Sequence, residues 1–224
     1  MIEKVEDLPR LGEGIYTLSE AVRILTRPGR AVSERQIRHW VRTSIVPPSF
    51  VHEDHPLLSF HDLVSLEVVA RFVAAGWSVQ GVRRIEEELR EEFGRARPFA
   101  YRQFFTDGSS VWARAEHEDQ LMTELIGRHR DRRHKSITWA GAVETFAEEI
   151  RFEGLDQVAA AWDLAPFVEI DPEVQFGAPV VTGTRVPIST VIANLEVGSP
   201  AEVARWYDLS VEEVVGVRDY LAYR

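Results

Sequence analysis

Arginine side chains recur along one short stretch near the start of the chain, and their chemistry suits contact with an anionic polymer. Between Ile15 and His52 the sequence has six arginines against two glutamates, a net charge of +4. The whole chain of 224 residues has a net charge of −10, so residues 53–224 are strongly acidic. Guanidinium groups pair with phosphates and can read guanine edges. A basic segment in an otherwise acidic chain therefore predicts a local binding site for nucleic acid.

Two short helices are predicted to position these arginines. Thr17 and Glu20 have the spacing of a capping box, which predicts a helix over residues 17–25. Pro28 and Gly29 then predict a turn.

A second helix is predicted to begin at Ser33, a favourable N-cap residue, with Gln36 at the third helical position. Helical spacing assigns its inner face to Ile37, Trp40 and Val41. Its outer face has a basic set: Arg35, Arg38, His39 and Arg42.

Three prolines between residues 47 and 56 exclude a helix there and predict two extended pieces around a polar tip at His52–His55. The tip could in principle chelate a metal. A polar turn is the favoured interpretation, because no helix sets the two imidazoles on one face. Helices are predicted from near Ser59 to Gly76 and from Ser78 to Gly94.

This order of elements is that of a winged helix-turn-helix. Residues 15–89 also resemble the MerR-type DNA-binding domain. The stretch "YTLSEAVRIL" resembles its first helix, "SERQIRHWV" its recognition helix, "TSIVPPSF" the turn into its wing, and "LSFHDLVSLEVVARFVAAGWSVQGVRRI" its third and fourth helices. Ser44 stands where that family usually has glycine, and His39 where it usually has a tyrosine that touches the DNA backbone.

The resemblance implies that residues 33–36 lie nearest the bases and that Arg38 and Arg42 contact phosphate. The full set of residues expected at DNA is Thr17, Ser33, Glu34, Arg35, Gln36, Arg38, His39, Arg42 and His52. The alternative is a helical subdomain with a solvated basic face.

Residues 96–167 differ in character from the preceding helices. Asp107-Gly108 predicts one hairpin, and Gly154 marks the turn of a second. A helix is predicted over 117–127, and the basic stretch 128–135 is interpreted as an exposed loop, or as a second nucleic-acid patch. The aromatic residues are expected in a sheet core, or alternatively around an effector pocket: Phe99, Tyr101, Phe104, Phe105, Trp112, Trp139, Phe146, Phe152 and Trp162.

The stretch "FGAPVVTGTRVPIS" (176–189) could suggest a phosphate-binding loop. A P-loop needs several glycines and a lysine, whereas "TGTR" has one glycine and no lysine. A hairpin of packed valines that turns at Gly183 is favoured, and phosphate binding by Thr184 and Arg185 is the alternative. Three helices are predicted to follow, over about 189–196, 200–207 and 210–223.

Residues 168–223 resemble a small bacterial domain of unknown function whose most specific motif is "FGAPVVTGTRVPI". Genes for that domain often lie beside genes for PIN-like toxins. Together with the MerR-like head and the β-rich middle, the chain resembles a subset of VapB-type antitoxins, whose partners are VapC toxins, PIN-domain ribonucleases. The resemblance implies an antitoxin that binds its own operator as a homodimer and neutralises such a nuclease.

The expected fold class is α+β, in three parts. Residues 1–95 form a MerR-like winged helix-turn-helix, 96–167 a β-rich middle with two hairpins, and 168–224 an antitoxin domain with a hairpin and a three-helix bundle. The acidic last helix would be repelled by DNA, so the bundle is expected to bind protein or to dimerise. Four arginines are expected to pair with the carboxylates that hold Mg²⁺ in the toxin: Arg185, Arg205, Arg218 and Arg224.

Composition excludes several kinds of site and several classes of function. The chain has no cysteine, which excludes disulfides and thiolate metal sites. No catalytic set stands out, so no enzyme, metal or cofactor is expected, and the polar start and lack of long apolar runs favour a cytoplasmic protein. The alternatives are a one-component MerR-like regulator that senses a ligand through the middle segment, and an enzyme built on the Thr184–Arg185 loop.

Overall fold

The computed structural model describes residues 12–27, 30–74, 77–102 and 146–222, and these ranges combine helices with antiparallel sheet, as predicted. The helices are α1 (Leu18–Leu25), α2 (Glu34–Arg42), α3 (Phe60–Ala74), α4 (Val79–Phe93), α5 (Ile188–Leu195), α6 (Pro200–Tyr207) and α7 (Val211–Ala222). The strands are β1 (Phe50–His52), β2 (His55–Leu57), β3 (Ile150–Glu153), β4 (Val158–Ala165), β5 (Val168–Ile170) and β6 (Val180–Val181). The hairpin predicted at Asp107-Gly108, the helix predicted over 117–127 and the basic stretch 128–135 lie outside the described residues.

Both predicted capping boxes are present at the starts of α1 and α2. The Thr17 hydroxyl accepts a hydrogen bond from the backbone N–H of Glu20 (3.2 Å), and the Glu20 carboxylate accepts one from the Thr17 N–H (2.8 Å). Ser33 and Gln36 repeat the arrangement at 3.3 and 2.9 Å. Each box satisfies backbone donors that have no partner inside the helix, which explains why the helices begin at these residues.

Strands β1 and β2 form the predicted hairpin around the His52–His55 tip. Glu53 and Asp54 turn the chain with φ values of 47° and 64°, the left-handed pair that suits a two-residue hairpin loop. Ser44, just after α2, also has a left-handed φ of 58°. Glycine adopts that conformation at no steric cost, so this turn is one that a glycine would fit more easily than a serine.

A four-stranded antiparallel sheet follows in the order β3-β4-β5-β6, and its first hairpin turns at Gly154, as predicted. Helices α5, α6 and α7 contact one another, and α7 also contacts β5. The face that α7 buries consists of Val214, Val217 and Tyr220, while Val211 is 48% exposed. Among the described residues no helix is both long and apolar enough to span a bilayer.

A buried carboxylate joins the first part of the chain to the sheet. Glu67 in α3 is fully inaccessible to solvent and accepts hydrogen bonds from Arg30 (2.7 and 2.5 Å) and from Arg71 (2.8 Å). Arg71 also donates to Glu149 (3.1 Å), and Glu149 accepts a hydrogen bond from the indole N–H of Trp162 in β4 (3.2 Å). This network therefore connects the chain just before α2 to α3 and to the middle of β4.

Arg27 makes a second connection between the same two regions. Its guanidinium donates to the backbone carbonyl of Leu164 (3.0 Å) and lies 5.1 Å from the centre of the Trp162 ring. Two of the six arginines in the basic segment, Arg27 and Arg30, therefore face the interior. The charge available on the surface is smaller than the sequence count of +4 suggests.

We predict that replacing Glu67 with Gln lowers the free energy of unfolding by about 3–5 kcal/mol, because the change removes the buried charge that Arg30 and Arg71 share, although Arg71 keeps its pair with Glu149. Urea denaturation of the full chain measures the loss. The matched control is Glu87→Gln, which removes an exposed i,i+4 partner of Arg83 and is expected to cost no more than about 0.5 kcal/mol. Equal effects of the two substitutions would contradict the anchoring role of Glu67.

Candidate nucleic-acid interface

Helix α2 has one buried edge and one exposed edge. Ile37, Trp40 and Val41 are 0%, 2% and 7% exposed, which confirms the predicted inner face. These three anchors fix the rotation of the helix about its axis, because the core has no room for another register. The residues between them are held toward solvent.

The exposed edge contains most of the residues expected at DNA. Arg35, Gln36, Arg38, His39 and Arg42 are all exposed and line one side of a groove of about 530 Å³. Val73 and Val79, near the junction of α3 and α4, line it as well. Arg35, His39 and Arg42 form no ion pair with any residue in the described part of the chain. A groove with cationic groups on one wall that have no ion-pair partner within the described ranges suits an anionic ligand.

The other residues predicted to contact DNA lie before and after this edge in the sequence. Thr17 and Ser33 are exposed, and their hydroxyls cap α1 and α2, while Glu34 is half-buried in the first turn of α2. His52 is exposed at the end of β1, beside the hairpin turn. No group of three or more histidine and carboxylate side chains among the described residues has the geometry to hold a metal ion, the His52–His55 tip included.

Arg38 is tethered to its own helix. Its guanidinium donates to the Glu34 carboxylate one turn earlier, at 2.6 Å, and the Ser19 hydroxyl donates to the same carboxylate at 3.1 Å. These hydrogen bonds, first from Arg38 and then from Ser19, hold the pKa of Glu34 below its ordinary value. Both side chains are about half exposed, so the pair is weak and can be exchanged for a phosphate contact.

The Thr184–Arg185 loop has the geometry of a hairpin rather than of a phosphate cradle. Gly183 turns with a φ of 73°, and its N–H already donates to the Glu169 carboxylate at 2.8 Å. The Thr184 hydroxyl donates to the carbonyl of Val181 at 2.8 Å. The loop amide and hydroxyl are thus engaged, and a buried carboxylate beside them would repel phosphate.

Three of the four arginines expected to contact a toxin are exposed. Arg185 lines a groove of about 350 Å³ with Phe176 and Gln175, Arg205 lies on α6, and Arg218 on α7 pairs with Asp219 at 2.9 Å. The structure does not bring these three together through any described contact, and Arg224 lies outside the described residues.

The described aromatic residues of the middle segment form core rather than a pocket. Phe99, Phe146 and Trp162 are fully buried, and the rings of Phe146 and Trp162 meet edge to face at 5.3 Å. Phe152 and Tyr101 are partly buried and pack against the same core. Phe104, Phe105, Trp112 and Trp139 lie outside the described residues.

The C-terminal part of the chain is similar to a known protein family. Residues 168–221 match the family model described as a protein of unknown function (DUF433). The crystal structure of Rv2018 from Mycobacterium tuberculosis is similar over 94% of this chain and 100% of that chain, with a TM-score of 0.74 and 23% identity. At that identity the likeness shows a shared fold. No curated protein matches the chain.

Sequence reasoning missed the buried residues that hold the segment just before α2. Glu67 lies in the apolar run "LVSLEVVARF", and a lone carboxylate in such a run is a signal for a buried partner. Local spacing could not identify that partner as Arg30, 37 residues earlier in the chain.

We predict that replacing Arg38 with Ala raises the pKa of Glu34 toward its ordinary value, because the strongest hydrogen bond to the ionised carboxylate is lost. A carbon-detected NMR titration of the side-chain carboxylates measures this directly. Arg42→Ala is the control. This substitution removes one positive charge from the same helix, but Arg42 does not contact Glu34, so the titration of Glu34 should be unchanged. An unmoved midpoint in the Arg38 variant would show that the tether is not formed in solution.

Proposed function

We propose that this protein is a non-enzymatic, DNA-binding antitoxin. Residues 15–89 act as a MerR-like winged helix-turn-helix, with α2 as the recognition helix and the β1–β2 hairpin as the wing. The C-terminal hairpin and three-helix bundle bind and neutralise a PIN-domain ribonuclease. The protein acts in the cytoplasm, where both partners are found, and binds its own operator as a homodimer.

The observation that carries the DNA-binding part is the division of α2 into two edges. The buried anchors Ile37 and Trp40 hold the helix, and the opposite edge presents a row of exposed cations. A helix of this kind can lie in the major groove, with its first turn at the bases and its later arginines at phosphates. The hairpin tip at Glu53-Asp54 is exposed, as a wing that touches the flanking backbone must be.

The toxin-binding part is supported by the match of residues 168–221 to DUF433 together with the charge of this region. The helices α5–α7 have an excess of carboxylates, which disfavours DNA and leaves a protein as the suitable ligand. Exposed guanidiniums such as that of Arg185 can pair with the carboxylates that hold Mg²⁺ in a nuclease.

We predict that Arg38→Ala weakens binding to the chain's own promoter DNA and to unrelated duplexes by a similar factor. The reason is that a contact with phosphate does not distinguish one base sequence from another. The slope of log K against log salt should fall by about 0.9, the value for one lost phosphate contact. Fluorescence anisotropy at several salt concentrations measures both quantities.

The matched control for this measurement is Arg218→Ala, which removes an equally exposed arginine from α7, outside the proposed interface. Its binding curve and salt slope should equal those of the unmodified chain. If the Arg38 and Arg218 variants behave alike, α2 is not the DNA-contacting helix.

We predict that Arg185→Ala weakens the complex with the proposed PIN-domain nuclease partner by about tenfold, the scale of a lost charge-assisted contact at an interface. Isothermal titration of the purified full-length partners measures the affinity. Arg23→Ala, an exposed arginine on α1, is the control and should bind unchanged. A nuclease complex insensitive to Arg185 would remove this residue from the interface.

A further inference from the structure

Trp206 on α6 is an exposed aromatic residue, with 53% of its surface accessible. One part of its ring rests on Gly198, where a Cβ atom would lie only 2.7 Å from the ring carbon Cη2. Val197, the neighbour of that glycine, is 81% exposed. Trp206 and the sequence neighbour of the glycine it contacts, Val197, are thus two exposed apolar residues at the turn between α5 and α6, which we call the Trp206 patch.

This position is unusual for a tryptophan, because burial of an indole is strongly favourable and exposed aromatic anchors concentrate at interfaces. Gly198 is the residue that permits the contact, since any side chain there would meet the ring. The ring is thereby supported at one side by the turn between α5 and α6, and this support lowers the entropy that a partner would have to remove on binding.

The surroundings of the patch are acidic. Residues 188–222 have six carboxylates against two arginines, a net charge of −4, and one of those arginines, Arg218, is paired with Asp219. Glu196 directly precedes Val197, and Glu202 lies one helical turn before Trp206 on α6; both are exposed. The patch is thus an indole bordered by carboxylates.

We propose that the Trp206 patch docks on the RNA-binding face of the nuclease partner. The inference rests on the proposed antitoxin function and specifies which surface makes the contact. An enzyme that binds RNA offers cationic groups to phosphates and flat surfaces to bases. Carboxylates beside an exposed indole are complementary to both, with the carboxylates in the place of phosphates and the indole in the place of a base.

Other occupants fit this surface less well. Nucleic acid itself is repelled by the net charge of −4. A second copy of the chain would bring two acidic surfaces into contact, and like charges across an interface oppose association. A basic protein surface satisfies both the charge and the apolar patch.

The test uses the full chain, the nuclease that the antitoxin proposal requires as partner, and a labelled 2′-O-methyl oligouridine that resists cleavage. We expect the unmodified chain to displace this probe from the nuclease. Trp206→Ala should bind the nuclease about tenfold more weakly or worse, as truncated aromatic hot spots do, and displace the probe only at correspondingly higher concentration. Glu196→Lys should weaken binding in low salt more than in high salt.

The matched control is Leu155→Ala at the β3–β4 turn, a fully exposed apolar residue outside the patch, which should bind unchanged. Thermal unfolding of each variant separates loss of binding from loss of fold, and Trp206→Phe, which keeps a ring on Gly198, should retain most of the affinity.

Four results would overturn the proposal. If Trp206→Ala binds the nuclease as tightly as the unmodified chain, the patch is not in the contact although the antitoxin function stands. If the nuclease binds the unmodified chain and the labelled RNA at the same time, the contact lies outside the RNA-binding face of the enzyme. If the unmodified chain does not bind the nuclease at all, the proposed function fails as well. A change of oligomeric state in free Trp206→Ala would assign the patch to self-association instead.

Discussion

A carboxylate without solvent access, that of Glu67, ties the segment just before α2 to α3 and to the sheet. Burial of a charge is costly, and it is tolerated here because Arg30 and Arg71 both donate to the same carboxylate. Arg30 holds the chain just before α2, while Arg71 continues through Glu149 to Trp162 in the sheet. The segment that leads into α2 is therefore held by buried charges, while Ile37, Trp40 and Val41 fix the rotation of α2 itself.

The basic segment thus divides its arginines between two tasks. Arg27 and Arg30 face the interior. Arg27 donates to the backbone carbonyl of Leu164 in β4, and Arg30 pairs with the buried carboxylate of Glu67. Arg35, Arg38 and Arg42 remain outside, and only Arg38 has an ion-pair partner among the described residues. At the other end of the chain the sign is reversed, since α5–α7 are acidic. This separation of charge is the reason for proposing DNA as the ligand of one end of the chain and a basic protein as the ligand of the other.

Local rules predicted much of this arrangement from the sequence. The two capping boxes, the proline-bounded hairpin, Gly154 and the starts of α5–α7 all follow from short-range chemistry, and the structure has each of them. What could not be predicted depends on distant residues, as the pairing of Glu67 with Arg30 does. For α7, helical spacing in the sequence groups Val211, Val214, Val215, Arg218 and Leu221. The contact of α7 with its neighbours instead buries Val214, Val217 and Tyr220.

The central claim is that α2 and the hairpin contact duplex DNA while the acidic helices do not. Hydrogen exchange of the full chain, with and without a duplex from its own promoter, tests this most directly. The account predicts slower exchange of backbone amides over residues 33–42 and 50–57, and unchanged exchange over 199–222. Unchanged exchange in α2, or protection confined to α6 and α7, would contradict it.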